Sequence, residues 1–352
     1  MMNWYKRIPF DRFLAAMIAS VALASLWPTL GASGGPLHLD LVTELGVSLV
    51  FFFAGAGLSF ASLKDGVTNW RLHLLVQLST FALFPLIGMA FVVASEDFFP
   101  RDLLSGFFFL CALPSTISTS IAMTQLARGN VAGAIFNATL SSLLGMVLTP
   151  LLVNLYLHSA GHSGGHGGSL LDQFAKIAGQ LFLPLVLGQL TRRWIAGWIS
   201  RNKGRVTLSD RVVILLIVYN AFSDSAAAGI WSQYGWQTLA QTFVLTAALL
   251  ATVLAITRFF ARRAGFKVED EIAGVFCGSK KSLAVGVPMA KLLLGNTPLG
   301  MIVLPLMIYH QLQLFVCTLL ARRYASRPAL AFMPTQSRRS LDADPSTPPQ
   351  AD

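Results

Sequence analysis

Long apolar segments recur along almost the whole of this 352-residue chain. A helix needs about 20 mainly apolar residues to cross a bilayer, and ten segments approach that length: 12–31, 39–62, 72–95, 103–127, 131–157, 170–195, 211–230, 237–260, 270–294 and 298–321. Only 12% of the residues are charged, whereas soluble domains contain roughly 25%. We therefore predict an all-α polytopic membrane protein with ten transmembrane helices.

A Gly- and Ser-rich segment at 158–169 separates the first five apolar segments from the last five. This composition is typical of a flexible linker. Because an odd number of spans precedes it, the second half enters the membrane from the opposite face, which predicts two inverted five-helix repeats at about 10–157 and 170–325. We predict one membrane domain over residues 1–327 and a disordered cytoplasmic tail at 328–352, which is polar and rich in proline.

The net charge of +10 would also suit a protein that binds nucleic acid. The basic residues, however, are concentrated on one side of the predicted spans, and the opposite side carries only Arg101, Lys176 and Lys291. Cytoplasmic loops of membrane proteins carry such an excess of Lys and Arg. The charge therefore predicts a multi-pass protein of the bacterial inner membrane with both termini in the cytoplasm, and it argues against a nucleic-acid partner.

Two adjacent lysines, Lys280 and Lys281, lie in the middle of the ninth span. A charged side chain at the bilayer centre costs roughly 2.5–3.5 kcal/mol on insertion scales, so it usually faces a protein or water-filled interior. Counted from Asp270 at the inner end, Lys281 lies about 16 Å deep, near the middle of a ~30 Å hydrocarbon core. We predict that one lysine contacts substrate or occupies an ion position, while the other caps a half-helix or pairs with an acid such as Asp224.

The fourth span carries a matching interruption. Pro114 has no backbone N–H, so the helix is predicted to break there, and Gly278 is predicted to mark the break in the ninth span. Two helices that enter from opposite faces and break at the midplane form the binding site of many secondary transporters. The alternative is that hydroxyl groups beside the breaks bond back to their own helices. The candidate substrate or ion ligands with hydroxyl groups are Ser115, Thr116, Ser118, Thr119, Ser120, Ser279 and Ser282.

Four further polar side chains are candidates for the same site. Asn137 and Ser141 of the fifth span are four residues apart and share one helix face, which would equally suit polar packing between helices. His310 of the tenth span could relay protons near neutral pH or serve as a hydrogen-bonded structural histidine. Gln77 of the third span could reach the same cavity. No metal site is predicted, because the linker histidines lie in a flexible segment and the cysteines lack ligand spacing.

These segments resemble the bile acid:sodium symporter superfamily, and more closely its SBF-like bacterial branch. The resemblance covers nearly all of residues 10–325. It implies ten helices, arranged as a panel domain and a core domain whose fourth and ninth spans cross at the site, and it implies secondary transport. The matching segments are Cys111–Ser120, Ala127–Asn130, Phe136–Thr139, Gly278–Ala284 and Tyr309–Gln311.

One departure from the family pattern bears on coupling. Sodium-coupled members carry an acidic residue and a nearby glutamine in the ninth-span crossover, whereas this chain has no acid between Phe276 and Ser282. A lysine ammonium group could stand where a sodium ion otherwise sits. Two lysines and two half-helix N-termini favour an anionic substrate. We predict a secondary active transporter of a small organic anion that works by alternating access in the lipid bilayer, without a cofactor. Na⁺ and protons are the candidate coupling ions, and transport without a coupling ion is the alternative.

Two other classes of protein are the alternatives. A membrane sensor would bind a ligand through a transporter fold without moving it. An integral-membrane enzyme acting on a lipid-linked substrate would place acids and histidines at the membrane surface. The acidic cluster of this chain, Glu269–Glu271, instead begins the ninth span, where acids complement the helix dipole. We therefore do not expect an enzyme.

Overall fold

The structure is a computed structural model, and it describes residues 12–57, 69–159, 170–227, 229–294 and 297–327. All regular secondary structure in those ranges is helical. The predicted tail at 328–352 and residues 160–169 of the predicted linker lie outside the described residues. The elements are α1 Arg12–Leu26, α2 Pro28–Gly31, α3 Leu39–Gly57, α4 Trp70–Leu78, a π-helical segment Ser79–Leu83, α5 Phe84–Ser95, α6 Arg101–Ala112, α7 Ser118–Leu126, α8 Val131–Ser159, α9 Leu170–Arg201, α10 Lys203–Ala227, α11 Ile230–Arg263, α12 Val268–Ser279, α13 Leu283–Leu294 and α14 Leu299–Ala325.

Within the described ranges, six segments are helices long and apolar enough to cross a membrane. The helix α1 is also apolar but shorter than these six. It is shorter because the helix that forms the predicted first span ends before Pro28, which begins α2. The predicted fourth and ninth spans are each divided into two shorter helices. The chain is therefore an all-helical, multi-pass membrane protein. The six long segments are Leu39–Gly57, Trp70–Ser95, Val131–His158, Lys203–Ala227, Gly235–Arg263 and Leu299–Ala325.

The helices pack as two groups. The flanking group consists of α1, α2, α3, α9 and α10, and the crossover group consists of all the other elements. In the flanking group, α3 and α9 pack backbone against backbone. A side chain at Gly55 would collide with the carbonyl group of Leu185, and one at Gly188 would collide with that of Phe52. Small residues allow membrane helices to approach this closely.

The beginning of α12 is anchored by the acidic residues of its first turn. Glu271 is only 4% exposed, and its carboxylate accepts hydrogen bonds from Arg258 Nε at 3.2 Å, Arg262 Nε at 3.1 Å and the Tyr324 hydroxyl at 2.6 Å. The side-chain amide of Asn130 donates to Asp270 at 2.7 Å. These contacts hold α12 between α11, α14 and the turn that joins α7 to α8, and so fix the position of the lysines at its other end.

Candidate functional site

Two interrupted helices meet inside the crossover group. Residues 113–117, between α6 and α7, are not helical, and neither are residues 280–282, between α12 and α13. The backbone N–H of Ser282 donates to the carbonyl oxygen of Pro114 at 3.0 Å. The two non-helical segments are therefore in direct contact.

The break in the ninth span begins later than the sequence predicted. The helix α12 continues through Gly278 and ends at Ser279. A Cβ atom at Gly278 would lie 3.2 Å from the Cβ of Ser79 and 3.3 Å from a methyl carbon of Thr257. Gly278 therefore permits close packing against the π-helical segment and α11, and the non-helical segment of the ninth span begins two residues after it, at Lys280.

Lys281 is fully buried, and backbone oxygen atoms surround its ammonium group. Its Nζ donates to the carbonyl groups of Leu113 at 2.6 Å, Cys111 at 2.8 Å and Thr80 at 3.0 Å. The centre of the Phe84 ring lies 4.0 Å from the same atom. An ammonium group has three N–H donors, so all of them are used. The carbonyl dipoles and the aromatic face together stabilise the buried charge.

Two prolines explain why these carbonyl groups are free to accept from a lysine. The last carbonyl groups of a helix have no helical donor, and Pro114 ends α6 because a proline cannot continue a helix without kinking it, so the carbonyl groups of Cys111 and Leu113 lie at an open helix end. In the π-helical segment, hydrogen bonds run between residues five apart. The residue five positions after Thr80 is Pro85, which has no N–H either. Both prolines thus leave acceptors that Lys281 satisfies.

Gln313 of α14 holds the backbone of Lys281. Its Oε1 accepts from the Lys281 N–H at 2.8 Å, and its Nε2 donates to the Lys281 carbonyl at 2.8 Å. The same Nε2 lies 2.9 Å from Nδ1 of His310, the predicted proton relay. One turn earlier, the Tyr309 hydroxyl donates to the carbonyl of Ser279 at 2.6 Å. The helix α14 therefore fixes the non-helical segment that carries both lysines.

Lys280 is equally buried, but its ammonium group has fewer partners. Its Nζ donates to the Thr119 carbonyl at 2.7 Å and lies 5.4 Å from the centre of the Phe276 ring. No other acceptor for this group is found among the described residues, so two of its three N–H donors are not used by that part of the protein. Thr119 lies in the first turn of α7 and is partly exposed. The two lysines therefore differ in how completely the protein binds them.

Hydroxyl groups satisfy the carbonyl groups at the end of α12. Ser115 Oγ donates to the Cys277 carbonyl at 2.6 Å, and Ser120 Oγ donates to that of Phe276 at 3.3 Å. Ser279 Oγ donates back into its own helix at 2.6 Å. Three of the predicted ligands thus lie at the crossing and act as donors to backbone oxygen atoms.

The other predicted hydroxyl ligands lie at the starts of α7 and α13. The hydroxyl oxygen of Thr116 lies 2.5 Å from that of Thr119 and 3.2 Å from that of Ser120. Ser118 is exposed in the first turn of α7. Ser282 Oγ accepts from a backbone N–H three residues further along at 3.3 Å, and so caps α13. Six of the seven hydroxyl residues therefore form hydrogen bonds at or beside the crossing, whereas Ser118 is exposed.

Of the two predicted polar residues of α8, Ser141 contacts the crossing and Asn137 contacts Gln77. Ser141 Oγ accepts from the backbone N–H of Ser115 at 2.9 Å and so reaches the crossing. Gln77 Nε2 instead contacts the backbone oxygen of Asn137 at 3.3 Å and its side-chain oxygen at 3.4 Å. The Oε1 atom of Gln77 is buried and has no hydrogen-bond partner among the described residues. Gln77 and Asn137 thus form a polar pair of their own.

Asp224 does not pair with either lysine. Its carboxylate accepts from the backbone N–H of Ser33 at 2.6 Å and from the Ser33 hydroxyl at 2.8 Å. The prediction that Asp224 partners a lysine is therefore wrong, because α10 belongs to the flanking group and directs this side chain towards the residues after α2. In the described part of the chain, the ion pairs join Glu271 to two arginines. The positive charges of the crossing are consequently stabilised by carbonyl dipoles and aromatic rings.

A cavity of about 400 Å³ lies at the boundary between the two helix groups. Its lining is almost entirely apolar and comes from α1, α10, α11 and α14; Met17, Phe222, Leu239 and Leu304 represent these four helices. Gln311, which follows His310, also lines it, and the Nε2 atom of Gln311 is buried without a partner among the described residues. The cavity therefore offers an apolar surface with one polar donor.

Comparison with known proteins finds similarity to one family of transporters. A sequence model of the SBF-like CPA transporter family matches residues 11–326. An uncharacterised protein of Pseudomonas aeruginosa is 48% identical over 317 residues, which cover 90% of this chain and 93% of that protein. The Escherichia coli protein named "Putative symporter YfeH" is 47% identical over 314 residues, covering 89% and 92%. The mouse protein named "Sodium/bile acid cotransporter 7" is 32% identical over 328 residues, covering 91% and 94%.

Proposed function

Because the chain belongs to the SBF-like CPA transporter family, we propose that it is a secondary active transporter that moves a small organic anion across the inner membrane by alternating access. The family and the names of the relatives point to transport rather than to an enzymatic reaction. The observation that carries this proposal is the pair of buried lysines at the crossing of two interrupted helices. Ionisable residues inside a membrane are costly and usually functional.

In the proposed topology, ten spans form two inverted five-helix repeats, at about 10–157 and 170–325. The six long apolar segments, α1, α9 and the two interrupted pairs would supply these ten spans. The pairs α6/α7 and α12/α13 would then occupy the fourth position of each repeat. Both termini would face the cytoplasm, as the distribution of Lys and Arg favours.

The two lysines have different roles in this proposal. Lys281 acts as a built-in cation, because the carbonyl groups that could otherwise bind a metal ion already accept all three of its donors. Lys280 contacts the substrate, because two of its donors are not used by the described residues. An anion beside Lys280 would also meet the N-terminal end of α7, where helix N–H groups and the helix dipole favour negative charge.

The apolar cavity supports a substrate that carries an apolar part besides its anionic group. It contains space for a small organic molecule, and ligand sites are commonly apolar with a few polar groups that fix orientation. The unpartnered Nε2 of Gln311 would donate one hydrogen bond there. In this proposal the anionic group binds at the crossing, where the hydroxyl residues, Asn137, Gln77 and His310 are its candidate ligands.

A sodium ion is not required at the position that Lys281 fills. Coupling, where it occurs, would use a proton or a sodium ion bound elsewhere. This distinguishes the proposal from a simple transfer of the function that the name of the mouse relative states.

The experiment that tests the proposal uses purified protein in two stages. A thermal-shift screen of organic anions, with and without sodium and across pH, identifies a ligand because binding raises the apparent stability. Proteoliposomes are then assayed for counterflow of that anion. We expect counterflow that Lys280→Met abolishes and that Arg101→Met, a change of an exposed basic residue, leaves intact. Binding without counterflow in the unaltered protein would instead identify a sensor.

A further inference from the structure

Lys291 of α13 forms a hydrogen bond between the two helix groups. Its Nζ donates to Oδ1 of Asn220 at 2.9 Å, and Asn220 is fully buried in α10. At the other end of the amide, Nδ2 donates to the carbonyl group of Gly31 at 2.9 Å. A lysine only donates and a carbonyl only accepts, so this orientation of the amide satisfies both partners. Asn220 is therefore held between a cation of the crossover group and the backbone of the flanking group.

Asn220 also belongs to a hydrogen-bond network whose other members, Ser33 and Asp224, lie in the flanking group. Ser33 Oγ lies 3.4 Å from Nδ2 of Asn220, and Ser33 donates through N and Oγ to the Asp224 carboxylate. The residues after α2 are thus fixed onto α10. If α13 moved away from α10, the bond from Lys291 would break, whereas the bonds that Asn220 and Asp224 form with the residues after α2 would remain.

Apolar side chains make up much of the packing around this bond. Ile217 and Ala221 of α10 belong to the same buried apolar cluster as Val287 and Ala290 of α13. Apolar contacts are non-directional, so they allow packed helices to slide. A hydrogen bond, by contrast, requires a defined distance and angle. The bond between Lys291 and Asn220 therefore adds a directional constraint to the packing of α10 against α13.

We propose that this bond is a releasable latch that holds the outer ends of the two helix groups together. In the proposed orientation both residues lie in the outer half of the membrane, because α10 runs outward from Lys203 and α13 runs outward from the crossing. The inference rests on the proposed alternating-access cycle, in which one group of helices moves against the other. Lys291 is only partly buried, so its ammonium group can return to water when the latch opens.

A cysteine at position 225 would report on the opening of this boundary. Ser225 is 1% exposed near the outer end of α10, and its Oγ lies close to Gly300 of α14 in the other group. The change Ser225→Cys is nearly isosteric. A membrane-impermeant maleimide should label it only when the groups separate. Cys277, which is fully buried within the crossover group, serves as an internal marker of unfolding, and both sites are followed by mass spectrometry.

The test compares the labelling rate of this reporter in three further backgrounds. Lys291→Met keeps the length of the side chain but removes its donors, and we expect labelling about tenfold faster, because hydrogen bonds to charged groups are among the stronger ones. Lys291→Arg keeps a cation and Arg101→Met removes an exposed basic residue on the same side, so both should label as slowly as the reporter alone.

The outcomes separate the latch from the proposed function. Equal labelling rates in the Lys291→Met and Lys291→Arg backgrounds would overturn the latch, and so would faster labelling of Cys277 together with the reporter. Labelling needs no substrate. Faster labelling in Lys291→Met, combined with an unaltered protein that carries no anion, would uphold the latch and reject the transport proposal.

Discussion

The Nζ atom of Lys281 lies 2.6 Å from the carbonyl oxygen of Leu113, the residue at the break between α6 and α7. A side chain from one interrupted helix thus satisfies the open end of the other. The bond in the opposite sense runs from Ser115, just after Pro114, to the Cys277 carbonyl at the end of α12. Each non-helical segment donates a hydrogen bond to a free carbonyl group of the other interrupted helix. The two segments therefore stabilise each other, and a change in one should destabilise both.

Replacing Lys281 should convert its position into a site for an external cation. Lys281→Ala leaves three buried carbonyl groups unpaired and also leaves space between them, so we expect a Tm lower by about 5 °C or more. Sodium or potassium ions should then restore the Tm in a concentration-dependent way. The matched control is Lys281→Met, which fills the same space with apolar atoms and should show no such recovery. An identical response of both variants to salt would contradict the prediction.

Unlike Lys281→Ala, Lys280→Met should leave the Tm unchanged or higher while it abolishes transport. The ammonium group of Lys280 has a single hydrogen-bond acceptor among the described residues, and replacing a buried charge by an apolar side chain of similar volume is often neutral or stabilising. We expect an unchanged or higher Tm and a loss of anion counterflow. Thermal unfolding and counterflow on the same preparation measure both effects. Normal counterflow in this variant would remove Lys280 from the substrate site.

The positions of both lysines and of the first break could be inferred from sequence, because a proline or a lysine inside an apolar segment stands out against its neighbours. The partners of Lys281 could not. Thr80 and Gln313 lie in helices far away in the chain, and which of their faces meets the crossing depends on how all the helices pack. His310 stands out in the sequence as a titratable residue, whereas Gln313, three residues later, does not, because a glutamine carries no charge and its bonds to the Lys281 backbone depend on tertiary packing.

Gly278 and Asp224 are residues that the sequence did single out but whose contacts it did not indicate. A glycine beside two lysines suggested a helix break, whereas the glycine serves close packing against Ser79. The depth of Asp224 suggested a partner for a lysine, but depth does not specify the direction of a side chain around its helix axis. The exact end of α12 and the direction of the Asp224 side chain both depend on contacts between helices, which neither periodicity nor composition encodes.

Gln313→Leu should destabilise the protein more than Tyr309→Phe. The first change leaves a buried N–H and a buried carbonyl of Lys281 unpaired, at about 1–3 kcal/mol for each group. The second leaves one buried group, the Ser279 carbonyl, unpaired, at about 1–3 kcal/mol. Thermal or denaturant unfolding in detergent gives the order of the two variants. A larger effect for Tyr309→Phe would show that Gln313 is not the principal support of the segment.

The cluster around Glu271 should respond unequally to loss of its members. The side chains of Arg258 and Arg262 are 42% and 58% exposed, so each ion pair is screened by water and contributes about 0–1 kcal/mol. Replacing either arginine by alanine should therefore lower the Tm only slightly. Glu271→Ala removes the acceptor of both arginines and of the Tyr324 hydroxyl, and we expect a clearly larger decrease. Comparable decreases for all three variants would indicate that the arginines act through packing.

Pro85→Ala should weaken the binding of Lys281 without weakening the helix. Alanine is a better helix former than proline, and it restores an N–H five residues after Thr80, where the π-helical segment can use it. That N–H would compete with Lys281 for the Thr80 carbonyl and leave the ammonium group with two backbone acceptors. We expect an unchanged or raised Tm together with reduced counterflow. Leu86→Ala, a change of an exposed neighbour, is the matched control and should leave counterflow intact. If Pro85→Ala also leaves counterflow intact, the third carbonyl group is dispensable, and the carbonyl groups of Cys111 and Leu113 with the Phe84 ring suffice to hold the charge of Lys281.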